Sequence, residues 1–134
     1  MKRVLFLCTH NSARSQMAEG LLNRLYPDRY QIFSAGTAPG VIHPFAVRAM
    51  AEIGIDISAN RSKHVREFIG QPMDIVVTVC DNARDACPVF PGAKAILHES
   101  FPDPTASAGR DDEKMAAFRT VRDAISAWLK KEFA

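Results

Sequence analysis

Long hydrophobic runs are absent from this sequence of 134 residues. No apolar stretch approaches the roughly 20 residues of a membrane-spanning helix, and the run that ends at Cys8 is too short for the core of a secretory signal peptide. A large excess of one charge is absent too, because the net charge is only +2. That balance gives no indication of binding to nucleic acid or to an anionic membrane surface. We therefore expect a cytoplasmic protein that binds neither.

Cysteine is scarce, with three residues at positions 8, 80 and 87. An odd number of cysteines without a secretory signal argues against a framework of structural disulfides and favours either reactive thiols or core packing. A zinc site at Cys80 and Cys87 is disfavoured, because their spacing is wider than that of a usual zinc pair and His98 is an isolated candidate ligand. We expect no metal site. From spacing alone, Cys80 could equally be a small buried residue at a strand end and Cys87 a filler before Pro88.

The composition is that of an ordinary globular protein, with 47% apolar and 24% charged residues. This length suits one hydrophobic core, and no internal repeat, linker or low-complexity tract divides the chain. We therefore expect residues 1–134 to form a single domain.

Strands and helices are predicted to alternate. Short runs rich in apolar and β-branched residues predict four strands, at residues 4–7, 30–34, 73–79 and 94–97. Apolar residues at helical spacing predict helices between and after them, the last over residues 111–131. Such alternation is typical of an α/β fold with a doubly wound, parallel four-stranded sheet and helices on both faces. Right-handed connections favour the strand order 2-1-3-4.

The first strand leads directly into Cys8, and a short polar loop then reaches Arg14 and the start of a helix. In this arrangement loop N–H groups and the positive end of the helix point at one place, which suits a bound oxyanion. The same environment is expected to stabilise the Cys8 thiolate, and the guanidinium of Arg14 matches two oxygens of a tetrahedral oxyanion. A cysteine six residues before an arginine also occurs by chance, but neither Cys80 nor Cys87 shows this arrangement.

The carboxyl ends of parallel strands meet at one edge of the sheet, where ligands of such folds bind. Cys8 follows the first strand, Cys80 follows the third, and Asp103 lies in the loop after the fourth. The predicted order makes the first and third strands neighbours, so we expect Cys8 and Cys80 to meet at that edge.

The segment Cys8–Gly20, C-T-H-N-S-A-R-S-Q-M-A-E-G, resembles the signature of the low-molecular-weight protein tyrosine phosphatase superfamily. It is similar, more narrowly, to the thioredoxin-coupled arsenate reductases of that fold. The resemblance implies Cys8 as nucleophile, Arg14 as oxyanion ligand and Asp103 as the acid that protonates the departing oxygen. His10 is a departure from members with glycine at this position. It could tune the Cys8 thiolate electrostatically or face solvent, and we expect it to face solvent. The implied oxyanion-binding residues are Thr9, His10, Asn11, Ser12, Ala13, Arg14 and Ser15, of which Asn11 and Ser15 are expected to shape the loop.

Residues 77–92, V-T-V-C-D-N-A-R-D-A-C-P-V-F-P-G, resemble the redox segment of those reductases, where two cysteines stand at the same separation. The resemblance implies that Cys80 attacks Cys8 and expels arsenite, and that Cys87 then attacks Cys80. The disulfide thereby passes from Cys8–Cys80 to Cys80–Cys87, and thioredoxin, or glutaredoxin as the alternative, resets the enzyme without any bound cofactor. Arsenate, with phosphate or sulfate as analogues, is the implied ligand of a monomeric enzyme.

Formation of a disulfide between Cys80 and Cys87 is expected to remodel the segment between them. If residues 80–87 were helical, the two thiols would lie roughly 10 Å apart along the axis. A disulfide needs Cα atoms within about 7 Å of each other, so the segment would have to unwind or loop out.

The resemblance also implies a monovalent-cation site in some reductases of the family. The residues that match it here are Asn11, Glu19 and Ser34, and an aspartate completes the site in those relatives. Lys63 stands at the position of that aspartate. This difference argues against a bound metal ion and favours an ammonium in its place.

Two other functions fit the same residues. A protein or aryl phosphatase would use Cys8, Arg14 and Asp103, with Cys80 protecting Cys8 from overoxidation. A non-enzymatic redox or oxyanion sensor would signal through residues 80–87. The three thiols favour a reductase, as does the lack of aromatic residues after Asp103-Pro104, since an aryl group would find little to stack on. Asp103 argues against a sensor, which needs no general acid.

Overall fold

Four parallel strands form the centre of the structure, a computed structural model that describes residues 1–81 and 90–134. Cys87, and with it the predicted remodelling of the segment after Cys80, lies outside the described residues. The strands are β1 (Lys2–Cys8), β2 (Tyr30–Gly36), β3 (Met73–Thr78) and β4 (Ala93–His98). Within the described residues, the helices are α1 (Arg14–Leu25), α2 (Pro44–Ala51) and α3 (Asp111–Glu132), with 3-10 helices at Val65–Glu67 and Pro104–Ala106.

The strand order is β2-β1-β3-β4, and all neighbouring strands run parallel. This confirms the predicted α/β fold and the order 2-1-3-4. β1 lies inside the sheet, and its residues 4–7 are fully buried, which explains why they form a continuous apolar run rather than an alternating one. Three strands extend beyond their predicted ranges by residues without a strand signal, such as Lys2 and Gly36, and β3 ends one residue earlier than predicted.

Side chains alternate between the two faces of the sheet, and each face carries a packed layer. Phe6 of β1 contacts Phe133, just beyond α3, with ring centroids 6.3 Å apart. Leu5 and its neighbour Phe33 on β2 point to the opposite face, where the ring of Phe33 packs 5.4 Å from that of Phe68. α1 packs against both α2 and α3. The contacts of Phe133 on one face and of Phe68 on the other show that the sheet is covered on both sides, as the alternation of elements predicts.

The ends of α2 follow from its sequence. Pro44 occupies the first turn, and His43 Nδ1 accepts a hydrogen bond from the Phe45 N–H at 3.1 Å. Gly54, shortly after the helix, adopts a φ of +80°, a left-handed conformation that favours glycine. Among the described residues, no helix combines the length and the apolar character that crossing a bilayer requires.

β2 ends directly beneath the loop that follows β1. Gly36 is its last residue, and the Gly36 N–H donates to the Lys63 carbonyl at 2.8 Å. A Cβ atom at Gly36 would lie 2.5 Å from the Thr9 carbonyl oxygen and 2.9 Å from the Asn11 nitrogen. Both are backbone atoms that cannot rotate away, so only glycine allows this close approach. From the sequence, Gly36 stands out only as part of a turn.

Replacing Gly36 by alanine is expected to displace the loop after β1 and to destabilise the fold by about 2 kcal/mol, a usual cost of overpacking. The matched control is Gly40→Ala, because a Cβ atom at Gly40 has nothing within 4 Å. Urea denaturation measures the stability, and calorimetric titration with inorganic phosphate measures oxyanion binding by the loop. Equal stability and equal phosphate affinity of the two variants would contradict the close packing.

An ion-pair cluster around Glu52 joins the C-terminal end of α2 to α3. The Glu52 carboxylate accepts hydrogen bonds from Arg119 Nη2 at 2.8 Å and from Arg122 Nη1 at 2.9 Å. Arg122 Nη1 also donates to the Ala49 carbonyl at 2.8 Å. Hydrogen bonds from Arg119, and after them those from Arg122, lower the pKa of Glu52 from its ordinary 4.5 to about 2. The ionised form of Glu52 therefore favours the folded state.

Glu52→Gln is expected to lower the melting temperature at neutral pH, because it removes a carboxylate whose ionised form stabilises the fold. That stabilisation is complete above the ordinary pKa of 4.5 and is lost as the pH falls to about 2, where the folded protein takes up the proton. The difference in melting temperature between wild type and variant should therefore shrink across this pH range. A difference that stays constant down to about pH 2 would contradict the assignment.

Candidate active site

The loop between β1 and α1 is built around Asn11. This residue is fully buried and has a φ of +49°, a left-handed conformation that asparagine tolerates better than most residues. Its Oδ1 accepts hydrogen bonds from Gln16 Nε2 and from the Lys63 N–H, both at 2.9 Å. Its Nδ2 donates to Ser15 Oγ at 2.8 Å. The geometry agrees with the loop-shaping roles expected for Asn11 and Ser15, and it adds buried Gln16, which the sequence pattern does not single out.

Two carbonyl groups of this loop point away from its centre. The Thr9 oxygen accepts from the Ala38 N–H at 2.8 Å, and the His10 oxygen accepts from Ser62 Oγ at 2.8 Å. In a trans peptide the C=O and N–H groups point in opposite directions, so the amides of residues 10 and 11 face the inside of the loop. The His10 side chain is exposed, as expected, and its Nδ1 lies 2.8 Å from the Ala38 carbonyl oxygen. The loop can therefore present N–H donors to an oxyanion.

Cys8 and Cys80 lie together at the carboxyl edge of the sheet. Pairing between β1 and β3 continues past the end of β3, since the Val79 N–H donates to the Leu7 carbonyl at 2.9 Å. Cys8 and Cys80 are both buried, and a hydrogen bond joins their side chains. Thr9 Oγ1 lies 3.4 Å from Cys80 Sγ, within hydrogen-bond distance for sulfur. The strand order thus brings the two sulfur atoms into contact, as the sequence predicts.

The contact with Cys80 changes the expected reactivity of Cys8. The hydrogen bond to Cys80 and the burial of the site both raise the pKa of the Cys8 thiol, and they outweigh the lowering by the Arg14 charge and the Thr9 amide. The loop thus lowers the pKa of Cys8 as expected, but in this state of the protein Cys80 and burial reverse the net direction. The groups that lower the pKa are neighbours of Cys8 in sequence, whereas Cys80 lies far along the chain.

Arg14 is positioned by the loop that follows β4. Its Nη1 donates to the Phe101 carbonyl at 3.0 Å, and its Nη2 lies 4.0 Å from Asp103 Oδ2. Phe101 is itself held in place, because its N–H donates to the Val79 carbonyl at 3.2 Å and its ring packs against Trp128. The Arg14 side chain is only 13% exposed, so its guanidinium stays beside the two thiols. Helical periodicity places Trp128 in the core, but no sequence signal marks the Phe101 carbonyl.

Asp103 lies beside Arg14 at the start of the 3-10 helix Pro104–Ala106. Its Oδ1 accepts hydrogen bonds from the Thr105 N–H at 2.9 Å and from Thr105 Oγ1 at 2.6 Å. Burial raises the pKa of Asp103, but these two bonds and the charges of Arg14 and His10 together lower it below its ordinary value. Asp103 is therefore a carboxylate in this state, and it must gain a proton before it can act as a general acid.

Two clefts border these residues. The first, of about 310 Å³, is lined by Arg14, Cys80, Asp81, Ser100, Phe101, Pro102 and Asp103. The second, also of about 310 Å³, is lined by His43, Pro44, Phe45, Pro104, Thr105, Asp111, Lys114 and Phe118. The expectation that an aryl group would find little to stack on considered only the residues after Pro104. The structure instead brings Phe45 and Phe118 to that loop from α2 and α3.

His98, at the end of β4, forms a chain of hydrogen bonds that ends next to Cys80. Its Nδ1 lies 2.7 Å from Thr78 Oγ1, and its Nε2 lies 3.0 Å from Asp81 Oδ1. These contacts hold the residue that directly follows Cys80. In sequence, His98 stands out only as an isolated candidate ligand. Within residues 1–81 and 90–134, no group of three or more His, Cys, Asp or Glu side chains is arranged to hold a metal ion.

The residues implied in a monovalent-cation site give a mixed result. Glu19 Oε1 and Ser34 Oγ are buried, and neither atom has a hydrogen-bond partner among the described residues, which would suit a cation. Lys63 Nζ, however, donates to the Arg61 carbonyl at 2.9 Å, and its charge interacts with that of Glu19. A metal ion at Glu19 would be repelled by this ammonium, so the residues present do not fit a bound metal cation.

Comparison with known proteins covers almost the whole chain. The family model described as low molecular weight phosphotyrosine protein phosphatase matches residues 3–133. A curated arsenate reductase of Halalkalibacterium halodurans is 46% identical over 129 residues, which make up 96% of this chain and 93% of that relative.

Solved structures have the same fold. One described as an arsenate reductase in the phosphate-binding state has a TM-score of 0.83 at 31% identity. The match covers 98% of this chain and 95% of the chain in that structure. The thioredoxin-dependent arsenate reductase Cg_ArsC1' of Corynebacterium glutamicum has a TM-score of 0.67 at 26% identity, over 98% of this chain and 61% of its own. With a buried cysteine at one end of its loop and an arginine at the other, this chain belongs to the low-molecular-weight phosphotyrosine protein phosphatase family.

Proposed function

We propose that this protein reduces arsenate to arsenite through a relay of Cys8, Cys80 and Cys87. The observation that carries the proposal is the hydrogen-bonded contact between Cys8 and Cys80 beside Arg14. Hydrolysis of a phosphate ester needs a nucleophilic thiol and an arginine, but it does not need a second thiol against the first. Relatives named arsenate reductase, matched over nearly their whole length, support this choice.

The first step joins arsenic to sulfur. Loop amides and Arg14 bind the arsenate oxygens, and Cys8 Sγ attacks arsenic while one As–O bond breaks. The arriving dianion offsets the Arg14 charge that lowers the pKa of Asp103, so Asp103 can take up a proton and pass it to the departing oxygen. A thiol and hydrogen arsenate thereby give a thiol–arsenic adduct and water, with the proton of the Cys8 thiol balancing the one transferred.

The second step moves two electrons to arsenic. Cys80 Sγ attacks Cys8 Sγ, the S–S bond forms, and the S–As bond breaks. The electron pair of that bond stays on arsenic, which leaves as arsenite, and the proton of Cys80 goes to an arsenite oxygen. Two thiols are oxidised and As(V) is reduced to As(III). The buried contact between Cys8 and Cys80 means that this attack needs little movement.

The third step returns Cys8 to the thiol form. Cys87 attacks Cys80, so that Cys8 leaves as a thiolate and a Cys80–Cys87 disulfide remains. An external dithiol reduces that disulfide and becomes oxidised itself, which closes the cycle without a bound cofactor. The thioredoxin-dependent relative of Corynebacterium glutamicum supports thioredoxin as this partner.

We also propose the domain organisation, the oligomeric state and the cellular location that the sequence predicts. One buried apolar cluster draws on β1, β2, β3, all three helices and the residues after α3, which supports a single domain over residues 1–134. A monomeric state and a cytoplasmic location stay predictions from the sequence.

A second candidate function is hydrolysis of aryl phosphates with Cys8, Arg14 and Asp103. The cleft that Phe45 and Phe118 line beside the loop of Asp103 favours it, because a phenyl ring could pack there. Both the phosphatase function and the reductase function use Cys8 as the nucleophile, so both activities are measured on the same variants. Turnover of either substrate would exclude the purely non-enzymatic sensor.

The relay is tested by arsenate-dependent consumption of NADPH in the presence of thioredoxin and thioredoxin reductase. Wild type is expected to turn over, whereas Cys87→Ser should release about one equivalent of arsenite and stop with a Cys8–Cys80 disulfide. Cys8→Ser should release none. Hydrolysis of an aryl phosphate, measured in parallel, should depend on Cys8 but not on Cys87. If Cys87→Ser reduced arsenate as fast as wild type, the relay would be contradicted. If wild type turned over only with glutaredoxin, the relay would stand and only the external dithiol would change.

Cys80→Ala is expected to lower the pKa of Cys8, because it removes the hydrogen bond that raises this pKa most. Each unit of lowering increases the thiolate fraction at neutral pH about tenfold. Alkylation of Cys8 by iodoacetamide, followed by peptide mass spectrometry across pH, gives the pH of half-maximal rate. This midpoint reports the pKa even if the variant changes access to Cys8. Cys87→Ala is the control, and an unchanged midpoint in Cys80→Ala would contradict the coupling of the two thiols.

A further inference from the structure

A buried carboxylate oxygen and a buried hydroxyl near the oxyanion loop have no hydrogen-bond partner within residues 1–81 and 90–134. Glu19 is in the same helix, α1, as Ser15 and Gln16, which bind Asn11, and Ser34 lies on β2 shortly before Gly36. Glu19 Oε1 and Ser34 Oγ are both buried without a partner among the described residues. A buried carboxylate is costly unless a positive charge or donors compensate it. Glu19 is half-buried with this one oxygen out of contact with water, so a nearby positive charge would stabilise its ionised form.

Lys63 has its backbone fixed at this place. Its N–H donates to Asn11 Oδ1 at 2.9 Å, and its carbonyl accepts from the Gly36 N–H at 2.8 Å. Its Nζ donates to the Arg61 carbonyl at 2.9 Å, and Gln16 Nε2 donates to the same oxygen at 3.1 Å. The ammonium therefore belongs to the hydrogen-bond network that holds Asn11 in its left-handed conformation.

The charges of Lys63 and Glu19 act on each other. Burial lowers the pKa of Lys63, and the negative charge of Glu19 opposes that lowering. Together the two side chains are neutral, so a metal cation gains little by binding beside them. An acidic residue at position 63 would instead give two negative charges, which would attract a cation strongly.

We propose that the Lys63 ammonium is a built-in counter-charge of Glu19, which holds the oxyanion loop without a bound monovalent metal ion. Lys63 acts on the loop through Asn11 and Gln16 and is thus a positioning residue. The inference concerns the stability of the loop and does not require that the bound oxyanion be arsenate. Its failure and the failure of the proposed function are therefore distinguishable.

The variants Lys63→Ala and Lys63→Asp test this proposal without removing the backbone hydrogen bonds of residue 63. A cavity of about 210 Å³ borders Glu19 and leaves room for a small cation beside this side chain. Melting temperatures are measured in potassium, ammonium and choline chloride at equal ionic strength. Wild type should melt at the same temperature in all three salts. Lys63→Ala should melt roughly 3 °C lower in choline and recover part of that loss in ammonium or potassium, and Lys63→Asp should respond more strongly still.

Two further variants separate the charge effect from a general loss of stability. Lys94→Ala removes an exposed ion pair with Asp74, at 3.2 Å, and should show no difference among the salts. Adding Glu19→Gln to Lys63→Ala removes the carboxylate that needs compensation, so the salt response should disappear. Phosphate affinity in the same salts reports whether the loop itself follows the cation. A potassium response of wild type, or a Lys63→Ala variant that behaves like Lys94→Ala, would overturn the proposal.

Discussion

The site depends on backbone hydrogen bonds that continue the parallel sheet beyond the ends of its strands. Val79 donates to the Leu7 carbonyl at 2.9 Å, and Phe101 donates to the Val79 carbonyl at 3.2 Å. Leu7 directly precedes Cys8, Val79 directly precedes Cys80, and Phe101 stands two residues before Asp103. The three chain segments that carry the reacting groups are therefore aligned by main-chain atoms before any side chain contributes. The Phe101 carbonyl then holds Arg14, which completes the group.

The contact between the buried thiols of Cys8 and Cys80 has opposite effects on their reactivity before and after substrate binds. Without an oxyanion, Cys80 raises the pKa of Cys8 and keeps it as a thiol, which reacts slowly with oxidants. In the proposed relay, the same contact places Cys80 Sγ where it can attack Cys8 once Cys8 carries arsenic. The contact therefore disfavours the Cys8 thiolate in the resting protein, but it leaves only a short distance between the two sulfur atoms that would form the disulfide. Arg14 and the Thr9 amide, which act in the other direction, remain in place for the moment when the oxyanion arrives.

Prediction from the sequence succeeded where the signal is local or follows from chain connectivity. The apolar run of β1, the β-branched run of β3 and the right-handed rule for parallel strands are enough to make Cys8 and Cys80 neighbours. It failed where a contact joins atoms far apart in the chain without a characteristic residue pattern. The Phe101 carbonyl that holds Arg14 and the Phe45 and Phe118 rings beside the acid loop are of this kind. Backbone groups and ordinary core residues look the same in sequence whatever they contact.

By itself, the sequence determined the fold class, the strand order and the loop from Cys8 to Arg14. The loop follows from residue type and spacing along one stretch of chain, and the fold class and strand order follow from the succession of strands and helices. Only the tertiary structure decided how these groups are charged. Cys8 is a thiol because of its hydrogen bond to Cys80 and its burial, whereas Asp103 is a carboxylate because the hydrogen bonds from Thr105 and the charges of Arg14 and His10 outweigh its burial. The need for glycine at Gly36 was decided there too, since a Cβ atom would meet the backbone of a loop that lies far from it in sequence. Protonation and close packing depend on distances in space, which spacing along the chain does not encode.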